Sequence, residues 1–583
     1  MTAQSSAAPQ PAEAGVVARG SLVNVTAMAT GAVLGFGLTV LASRWLQPRR
    51  TGEFFELIAL FTILSNTLGL GADTGLTRWI SRARAIGGLH EVRRVVLIAL
   101  GPVLLVGLVI GAAVWLAAPA LAHAFLHGMR QAQGAADVRL VAPLIPVGAL
   151  SICLIAGARG FGRMWPYLWV EGLGKPALRI VLVTAALLAG WGLRGALVGW
   201  SLPVAIGMAA SWIIFRGMIR REAPAAAGSL VTGAGRLAAA FWRFAAPRGL
   251  AAVFQVTALW IGILLVGVML TSYDAGLYSA VSRLAMIGTL ALEATRLAIA
   301  PQLSGLLARR EHSRVRDLYQ NATCWLMLAS WPVYLLFAIF PTVALGIFGH
   351  KYLAGASALV VIALAMLVNT GTGNVTVVLL MGGKSYLNVV NTLLALAVNI
   401  GLNLVLLPRI GLVGAAVAWA ASIVVDNLAA VAEVWFILSI EPVGPGYGLV
   451  VAITGGSFGL VGVGARALIG QTLPALASAV AVGLIVFCAA VYACRSRLHL
   501  TGLRPALRMR QDPAGSPDGQ APAQTVQRTA VRSGPGRHRL PPGQRRLARN
   551  SRAPGARRTA ATENVPGQRR SGPSDGGSAR RSA

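Results

Sequence analysis

The chain has 583 residues, of which 56% are hydrophobic and only 12% are charged, and its mean hydropathy is +0.67. Soluble domains carry about 25% charged residues, so this composition excludes a soluble globular protein. Apolar runs of about 20 residues, the length that crosses a bilayer as a helix, recur along the chain. The formal net charge of +32 is concentrated towards the C-terminus. We therefore expect a polytopic membrane protein with a basic end.

The apolar runs predict fourteen transmembrane helices. The fifth gives the weakest signal, because Glu171, Lys175 and Arg179 interrupt it. Residues 1–18 lack an apolar stretch that ends in a cleavage site, so we expect them to stay on the chain as a cytoplasmic segment. The predicted spans lie near 21–46, 53–77, 95–119, 139–161, 166–190, 194–215, 247–271, 275–305, 321–348, 355–381, 386–408, 411–438, 447–468 and 473–494.

Arginine is concentrated in the even-numbered connections between the predicted spans. The second, sixth and eighth connections are arginine-rich, at residues 78–94, 216–248 and 309–316, whereas the odd-numbered connections are sparser. Short loops rich in Lys and Arg stay in the cytoplasm. The pattern predicts that both termini are cytoplasmic.

Several segments of the first half return in the second half, in the same order. GLRGALVGWS (192–201) is followed by GLVGAAVAWA (411–420), and RRTGEFFELIALF around Gly52 by SYDAGLYSAVSRL around Gly276. GLGKPALRI is likewise echoed by MGGKSYLNV, which places Lys175 and Lys384 at matching positions. The spacings indicate duplication of a six-helix unit, and an even number of spans keeps both copies in the same orientation.

The predicted fold is therefore an all-α polytopic membrane protein with two pseudo-symmetric six-helix lobes and two additional C-terminal helices. We expect the N-lobe at 19–215, a cytoplasmic linker at 216–246, the C-lobe at 247–440 and the thirteenth and fourteenth spans within 441–498.

Residues 499–583 differ in character from the rest of the chain. They are rich in Pro, Gly, Ser and Arg and contain no Phe, Trp or Tyr, so they cannot bury enough apolar surface to fold. The segment predicts a disordered cytoplasmic tail that either contacts anionic membrane lipids, recruits partner proteins, or is an irregular extension. Nucleic acid is an unlikely partner, because the tail has no aromatic side chains for base stacking.

Ionisable groups inside membrane spans usually face a bundle interior or a water-filled cavity. At 3.6 residues per turn, polar side chains align on single faces of the second, seventh and eighth predicted spans: Thr62 with Asn66 and Asp73, Arg248 with Gln255, and Ser282 with Thr289 and Glu293. The candidate residues for a substrate cavity are Arg44, Asn66, Asp73, Arg78, Arg248, Gln255, Arg283, Glu293 and Arg296.

A cavity lined by arginine favours an anionic ligand, because the guanidinium is always charged and its planar donors match phosphate oxygens. The alternative for Arg44, Arg78 and Arg248 is that they extend from span ends to the membrane interface. For Glu293 with Arg296 the alternative is a static ion pair that does not touch substrate.

The remaining charged positions carry weaker signals. Asp426 and Glu433 lie seven residues apart on the twelfth span and are candidates for ion coupling or for simple packing. We interpret Lys175 and Lys384 as cytoplasmic anchors rather than phosphate ligands, because neither follows the spacing of a phosphate-binding loop. The sequence predicts no metal site, no cofactor and no catalytic constellation.

The segment GSLVNVTAMATGAVLGFGLTVLASRW, continued by GEFFELIALFTILSNTLGLGADTGL, resembles the first two helices of bacterial polysaccharide flippases. These are the O-antigen or lipid-linked oligosaccharide translocases of the multidrug/oligosaccharidyl-lipid/polysaccharide exporter superfamily. DAGLYSAVSRL, APQLSGLLAR, IFGHKYLAGASALVV and NIGLNLVLLPRIGLVGAAVAWA are similar to recurring phrases of that family, in that order. The likeness covers roughly residues 15–440.

The resemblance implies two lobes around a cavity walled by the first, second, seventh and eighth helices. It also implies a transporter rather than an enzyme, which uses alternating access to move a polyprenyl-pyrophosphate-linked glycan across the bacterial inner membrane for exopolysaccharide or cell-envelope synthesis. Polysaccharide-assembly enzymes are then the partners that the basic tail would recruit. Proton or sodium coupling is common in the superfamily. Two alternatives inside it are a cation-coupled multidrug efflux pump and a lipid II flippase. A glycan polymerase or ligase is the alternative of a different class, and it would need a large outer loop with catalytic residues.

Overall fold

A computed structural model describes residues 11–86, 88–126, 131–222, 233–495 and 497. Within these ranges the chain is helical and contains no β-strand. The α-helices in chain order are α1 Pro11–Leu68, α2 Ala72–Ala85, α3 Val92–Leu116, α4 Ala118–Phe125, α5 Gln131–Val141, α6 Leu144–Gly160, α7 Lys175–Leu188, α8 Gly192–Glu222, α9 Ala234–Met269, α10 Ser272–Ala285, α11 Thr289–Ala308, α12 His312–Ile339, α13 Pro341–Gly346, α14 Ala356–Gly371, α15 Val375–Met381, α16 Ser385–Ile410, α17 Leu412–Leu438, α18 Tyr447–Thr454, α19 Val461–Ile469 and α20 Leu473–Ala493.

Two π-helical segments and two short 3₁₀ segments complete the described structure. A π-helix over Tyr167–Gly174 leads directly into α7, and another over Gly455–Leu460 joins α18 to α19. The 3₁₀ segments are Leu89–Glu91 and His350–Gly355. A π-helix is rare and frequently lies at a functional site, and the first of these two segments contributes to the cavity described below.

The predicted all-α membrane fold is confirmed. In the described part of the chain, eleven helical segments are long and apolar enough to cross a membrane, or twelve when α10 and α11 are taken as one span bent by 41°. The count of fourteen stays a prediction. The helical run from Thr26 to Leu68 is counted once among the eleven, and the charged segment from Tyr167 to Leu188 is not among them.

The helical run Pro11–Leu68 reverses direction at Gln47. This residue has φ 65° and ψ 161° and is followed by Pro48. The Thr51 hydroxyl donates to the carbonyl oxygen of Ala42 at 3.3 Å, although nine residues of straight helix would separate them by about 13 Å. The run is thus two antiparallel arms, 11–46 and 48–68, which match the first two predicted spans.

The second and eighth predicted spans, which we expected to be continuous, are both interrupted. The first break follows Leu68, where Leu70 and Gly71 have φ of 49° and 76°, a left-handed conformation that favours glycine. The second break lies at residues 286–288, between α10 and α11. Each break changes the direction of the side chains that follow it.

The predicted linker at 216–246 is helical at both ends. Helix α8 continues to Glu222 and α9 begins at Ala234, while residues 223–232 lie outside the described ranges. The predicted thirteenth and fourteenth spans correspond to the segment Tyr447–Ile469 and to α20. The predicted tail at 499–583 lies entirely outside the described residues.

The echoed segments around Gly52 and Gly276 pack directly against each other. A Cβ atom added to Gly52 would lie 2.8 Å from the backbone nitrogen of Gly276, and one added to Gly276 would lie 2.8 Å from the carbonyl carbon of Pro48. Only two glycines allow backbones to approach this closely. The contact has the arrangement that a two-fold axis between the repeats would produce.

Candidate functional site

A cavity of about 340 Å³ opens between the helices of the first half of the chain and the start of the second. Its walls come from both arms of α1, from α6, α7 and α8, and from α9 and α10. This volume lies at the lower end of the range for small-molecule sites. The polar and aromatic lining residues are Thr62, Ser65, Asn66, Glu171, Lys175, Arg179, Arg283, Phe55, Phe61, Trp200 and Trp260.

Lys175 is the most buried charged residue of the cavity wall, with a relative exposure of 8%. Its Nζ donates to Glu171 Oε1 at 2.5 Å and to Ser151 Oγ at 2.8 Å. Gly207 of α8 leaves room for the lysine stem, since a Cβ at that position would lie 3.1 Å from Lys175 Cγ. The lysine is therefore fixed at the membrane-embedded wall, with one carboxylate as its charged partner.

Arg179 follows Lys175 by one helical turn and faces the same cavity. Its Nε donates to the carbonyl oxygen of Trp200 at 3.4 Å, and its guanidinium carbon lies 4.4 Å from the centroid of the Trp200 ring. A cation over an indole face is stabilised by the ring quadrupole. The ring and the carbonyl oxygen hold the guanidinium, and Glu171 adds an electrostatic attraction.

Arg283 of α10 approaches the cavity from the second half of the chain. Its guanidinium carbon lies 5.0 Å from the ring centroid of Trp260 and 5.6 Å from that of Phe55. Among the described residues, no carboxylate forms an ion pair with it. Its charge thus remains available to an anionic ligand.

The cavity is positively charged, because three cationic side chains and one carboxylate line it. Helix geometry explains the grouping, since Glu171, Lys175 and Arg179 are spaced by four residues and share one helix face. Cations in a low-dielectric pocket bind anions more strongly than they would in water. The arrangement selects an anionic group and offers aromatic surfaces beside it.

Two of the predicted cavity residues, Asn66 and Arg283, line this cavity. Asn66 Nδ2 donates to the carbonyl oxygen of Thr62 at 2.8 Å. Asp73 was expected on the same face, but it lies in α2 beyond the break at residues 69–71, so the helical alignment does not continue to it. The break between α10 and α11 likewise separates Ser282 from Glu293.

Three predicted arginines lie at exposed positions outside the cavity lining. Arg44 Nε donates to the carbonyl oxygen of Ile347 at 2.8 Å, which ties the first arm of α1 to the end of α13. The guanidinium carbons of Arg78 and Arg248 lie 3.9 and 5.6 Å from the ring centroid of Phe244. These contacts match the alternative of arginines at span ends.

Gln255, Glu293 and Arg296 also lie outside the lining of the described cavity. Gln255 is exposed on α9. Arg296 Nη1 pairs with Glu293 Oε1 at 3.2 Å, and both side chains are at least one-third exposed. This is the ion pair that we considered as an alternative to substrate binding.

The ion-coupling candidates Asp426 and Glu433 both lie on α17, in the second half of the chain and away from the cavity. Glu433 Oε2 accepts a hydrogen bond from Asn391 Nδ2 at 2.8 Å. The described residues hold no group of three or more His, Cys, Asp or Glu side chains placed to bind a metal ion. A coupling role for these two residues stays a prediction.

Lys175 and Lys384, which the sequence predicts to be matching cytoplasmic anchors, have different surroundings in the structure. Lys175 is the first residue of α7 and lines the cavity. Lys384 lies in the turn directly before α16 and is not among the lining residues. The sequence analysis did not assign Glu171, Lys175 and Arg179 to the cavity. Their regular spacing of four residues was the available signal, and the same three charges made the fifth predicted span the weakest.

A family model described as polysaccharide biosynthesis protein matches residues 17–307, about half of the chain. The chain belongs to this family. Every residue of the cavity wall lies inside the range that this polysaccharide biosynthesis model matches. The family assignment and the cavity therefore concern the same part of the chain, and the predicted resemblance is confirmed.

The chain is also similar to individual flippases and transporters. It is 26% identical over 178 residues to the probable low-salt glycan biosynthesis flippase Agl15 of Haloferax volcanii, which covers 29% of this chain and 36% of that relative. It thus matches little more than a third of the curated relative's length.

Solved structures share the fold of this family member at low sequence identity. The lipid II flippase MurJ in an inward closed conformation has a TM-score of 0.61 and 12% identity, covering 82% of this chain and 99% of the other. An inward-facing multidrug resistance MATE family transporter of the MOP superfamily has a TM-score of 0.58 and 15% identity, covering 70% and 94%. These matched proteins are flippases and a transporter rather than enzymes, which is the class of protein that the sequence predicts for this chain.

Proposed function

We propose that this protein moves a polyprenyl-pyrophosphate-linked oligosaccharide, or a related lipid-linked polysaccharide precursor, across the bacterial inner membrane by alternating access. The observation that carries the proposal is the group of Lys175, Arg179 and Arg283 in one cavity with a single carboxylate. The family to which the chain belongs and the name of its archaeal relative support a glycan precursor as the cargo.

The charge of the cavity matches the charge of such a cargo. A pyrophosphate that links a lipid to a sugar is a diester with two ionised oxygens, and the lining residues have an excess of two positive charges. Arginine presents a planar fork of donors to phosphate oxygens, and lysine adds a compact point charge. The cavity volume suits the pyrophosphate and its nearest groups, while the glycan and the lipid tail extend beyond it.

Alternating access requires contacts between the two halves of the chain that break and re-form. Near one end of the second arm of α1, Gly52 meets Gly276 and the Ser272 hydroxyl donates to Glu56 Oε2 at 3.2 Å. Beyond its other end, the backbone of Gly71 meets that of Gly249 in α9. Contacts that rely on glycine close packing and a few hydrogen bonds keep the competing states near in free energy, as a transport cycle requires.

A lipid II flippase is the second candidate, because the cargo of such a protein carries the same pyrophosphate and the MurJ fold is shared. A pump for cationic drugs is disfavoured by like-charge repulsion in a cavity with three cations and one carboxylate. We further propose that the arginine-rich even-numbered connections and both termini are cytoplasmic. This orientation would let the cavity receive its cargo from the side where it is made.

The proposed function is tested by the leaflet distribution of pyrophosphate-linked glycans in cells depleted of this protein, with glycan synthesis left intact. We expect the precursors to accumulate on the cytoplasmic leaflet and to be cleared by the wild-type protein and by a Lys384→Gln control. Lys175→Gln and Arg283→Gln should fail to clear them. An unchanged distribution on depletion, together with increased sensitivity to cationic drugs, would replace this function with efflux.

A further inference from the structure

Glu171 is the acidic residue of the cavity wall, and it is paired with a cation that the cargo needs. Its Oε1 lies 2.5 Å from Lys175 Nζ and 3.4 Å from Ser151 Oγ. Without the Glu171 carboxylate, the cavity would bind an anion more tightly. A carboxylate at this position therefore needs a reason beyond ligand affinity.

We propose that Glu171 is an internal counter-ion that competes with the pyrophosphate of the cargo for Lys175, so that the cargo binds loosely enough to be released. This inference rests on the proposed function and adds a release step to it. In the absence of cargo Glu171 neutralises Lys175. When the cargo enters, its phosphate oxygens take the place of the carboxylate, and the carboxylate returns as the cargo leaves.

The burial of the two partners indicates which side chain moves. Lys175 is 8% exposed and is also held by Ser151, whereas Glu171 is 26% exposed and faces the cavity. A partly exposed carboxylate can rotate into the cavity, while the lysine keeps the Ser151 hydroxyl as an acceptor. The exchange thus leaves the cation in place and alters only its anionic partner.

The three cations consequently have different roles. Arg179 and Arg283 lie over the rings of Trp200 and Trp260, and a neutral ring does not compete with phosphate for charge. They supply steady attraction in both the empty and the occupied cavity. Lys175 is the cation whose attraction is cancelled by a neighbouring carboxylate, so it sets how readily the cargo is exchanged.

The first test measures binding of inorganic pyrophosphate to the purified full-length chain in nanodiscs by titration calorimetry. Glu171→Gln removes the competing charge and keeps the shape, so we expect Kd to fall about tenfold, a modest change for removing a like charge near the ligand. Glu171→Asp, which keeps the charge, should stay close to wild type. Glu311→Gln is the matched control, because Glu311 pairs with Arg314 at 2.9 Å outside the cavity.

A double-mutant cycle separates competition at Lys175 from a general field effect. If Glu171 acts through Lys175, Glu171→Gln should raise the affinity for inorganic pyrophosphate less than about twofold in a Lys175→Gln background. A tenfold gain that persists without Lys175 would overturn the proposed exchange.

The release role is tested by flipping of a pyrophosphate-linked lipid in proteoliposomes. Glu171→Gln should bind more tightly and yet turn over several times more slowly at saturating cargo, because release becomes the slow step. Faster turnover would contradict the role. If wild type binds pyrophosphate and Lys175→Gln abolishes binding, but Glu171→Gln changes nothing, the inference fails and the proposed function stands. If no variant binds and Lys175→Gln flips normally, both fail.

Discussion

The two halves of the chain share helices but differ in the chemistry of their interiors. The first half encloses a cavity with Glu171, Lys175 and Arg179, whereas the helices of the second half are joined mainly by amides and hydroxyls, with the Glu433 carboxylate bonded to Asn391. Asn427 Nδ2 donates to Asn369 Oδ1 at 3.0 Å, and the Thr372 hydroxyl donates to Asn427 Oδ1 at 2.7 Å. The first half thus gathers charged groups at a cavity, whereas the second half uses polar groups to join its helices.

The two sets of polar groups, the cavity cations and the amides of the second half, differ in whether they find partners within the protein. The amides of α14, α16 and α17 bond to one another, with a further contact from Asn399 to Ser422 at 3.3 Å. Such interhelical hydrogen bonds hold membrane helices together. The cations that line the cavity exceed its carboxylates and can take an external anion, whereas these amides of the second half are satisfied by one another.

The largest effect is expected from removing two cations of the cavity. The double variant Lys175→Gln, Arg283→Gln should lower flipping about a hundredfold or more, since charge-assisted hydrogen bonds contribute about 1.5–3 kcal/mol each. The assay is initial flipping rate in proteoliposomes at equal protein content. A Lys384→Gln variant, altered at the lysine of the second half, should keep the wild-type rate. If the flipping rate fell equally in the double variant and in Lys384→Gln, the transport site would not be confined to the cavity cations.

A bulky residue at Gly71 should have the next largest effect. Gly71 has φ 76°, and a Cβ there would lie 2.6 Å from the backbone nitrogen of Gly249, so Gly71→Leu disturbs the contact between the halves. We expect flipping to fall at least tenfold while the amount of membrane-inserted protein changes less than twofold. Both are measured in the same vesicles.

Gly69 offers the matched control for Gly71. It has no positive φ, and a Cβ there would meet only the Asn66 carbonyl oxygen, at 3.1 Å. The two glycines lie two residues apart, and the structure gives only Gly71 a close interhelical contact. Gly69→Ala should flip within twofold of wild type. A loss of inserted protein that equals the loss of transport in Gly71→Leu would contradict a role in the conformational cycle.

A moderate effect is expected from Asn427→Ala on α17, in the second half of the chain. The substitution leaves Thr372 and Asn369 without their buried partner, which costs about 2 kcal/mol of stability. Denaturant unfolding in detergent should show the loss, while the Kd for inorganic pyrophosphate stays within twofold of wild type. A large change in Kd without a change in stability would place the ligand site partly in the second half.

The smallest effect is expected at the exposed pair on α11. Arg296→Gln breaks the 3.2 Å ion pair with Glu293, and exposed pairs contribute about 0–1 kcal/mol. Flipping and pyrophosphate binding should both stay within twofold of wild type. A tenfold loss of binding would restore the prediction from the sequence that this arginine belongs to the substrate cavity.

Sequence alone determined the features that depend on local composition. Hydrophobic runs fix membrane helices because the bilayer demands about 20 apolar residues and internal hydrogen bonding, and the echo around Gly52 and Gly276 marked the duplication. The four-residue spacing of Glu171, Lys175 and Arg179 was equally visible, because it is a property of one helix.

Only the tertiary structure decided which charged faces meet and where helices break. The breaks after Leu68 and at residues 286–288 redirected Asp73 and Glu293 away from the faces that helical periodicity assigned to them. Arg44 and Arg283 were both candidates for the substrate cavity, yet one contacts a backbone carbonyl at an exposed position and the other lines the cavity. The reason is physical. Periodicity fixes the relative direction of side chains within one helix, whereas the neighbour that each face meets is set by packing between helices distant in sequence.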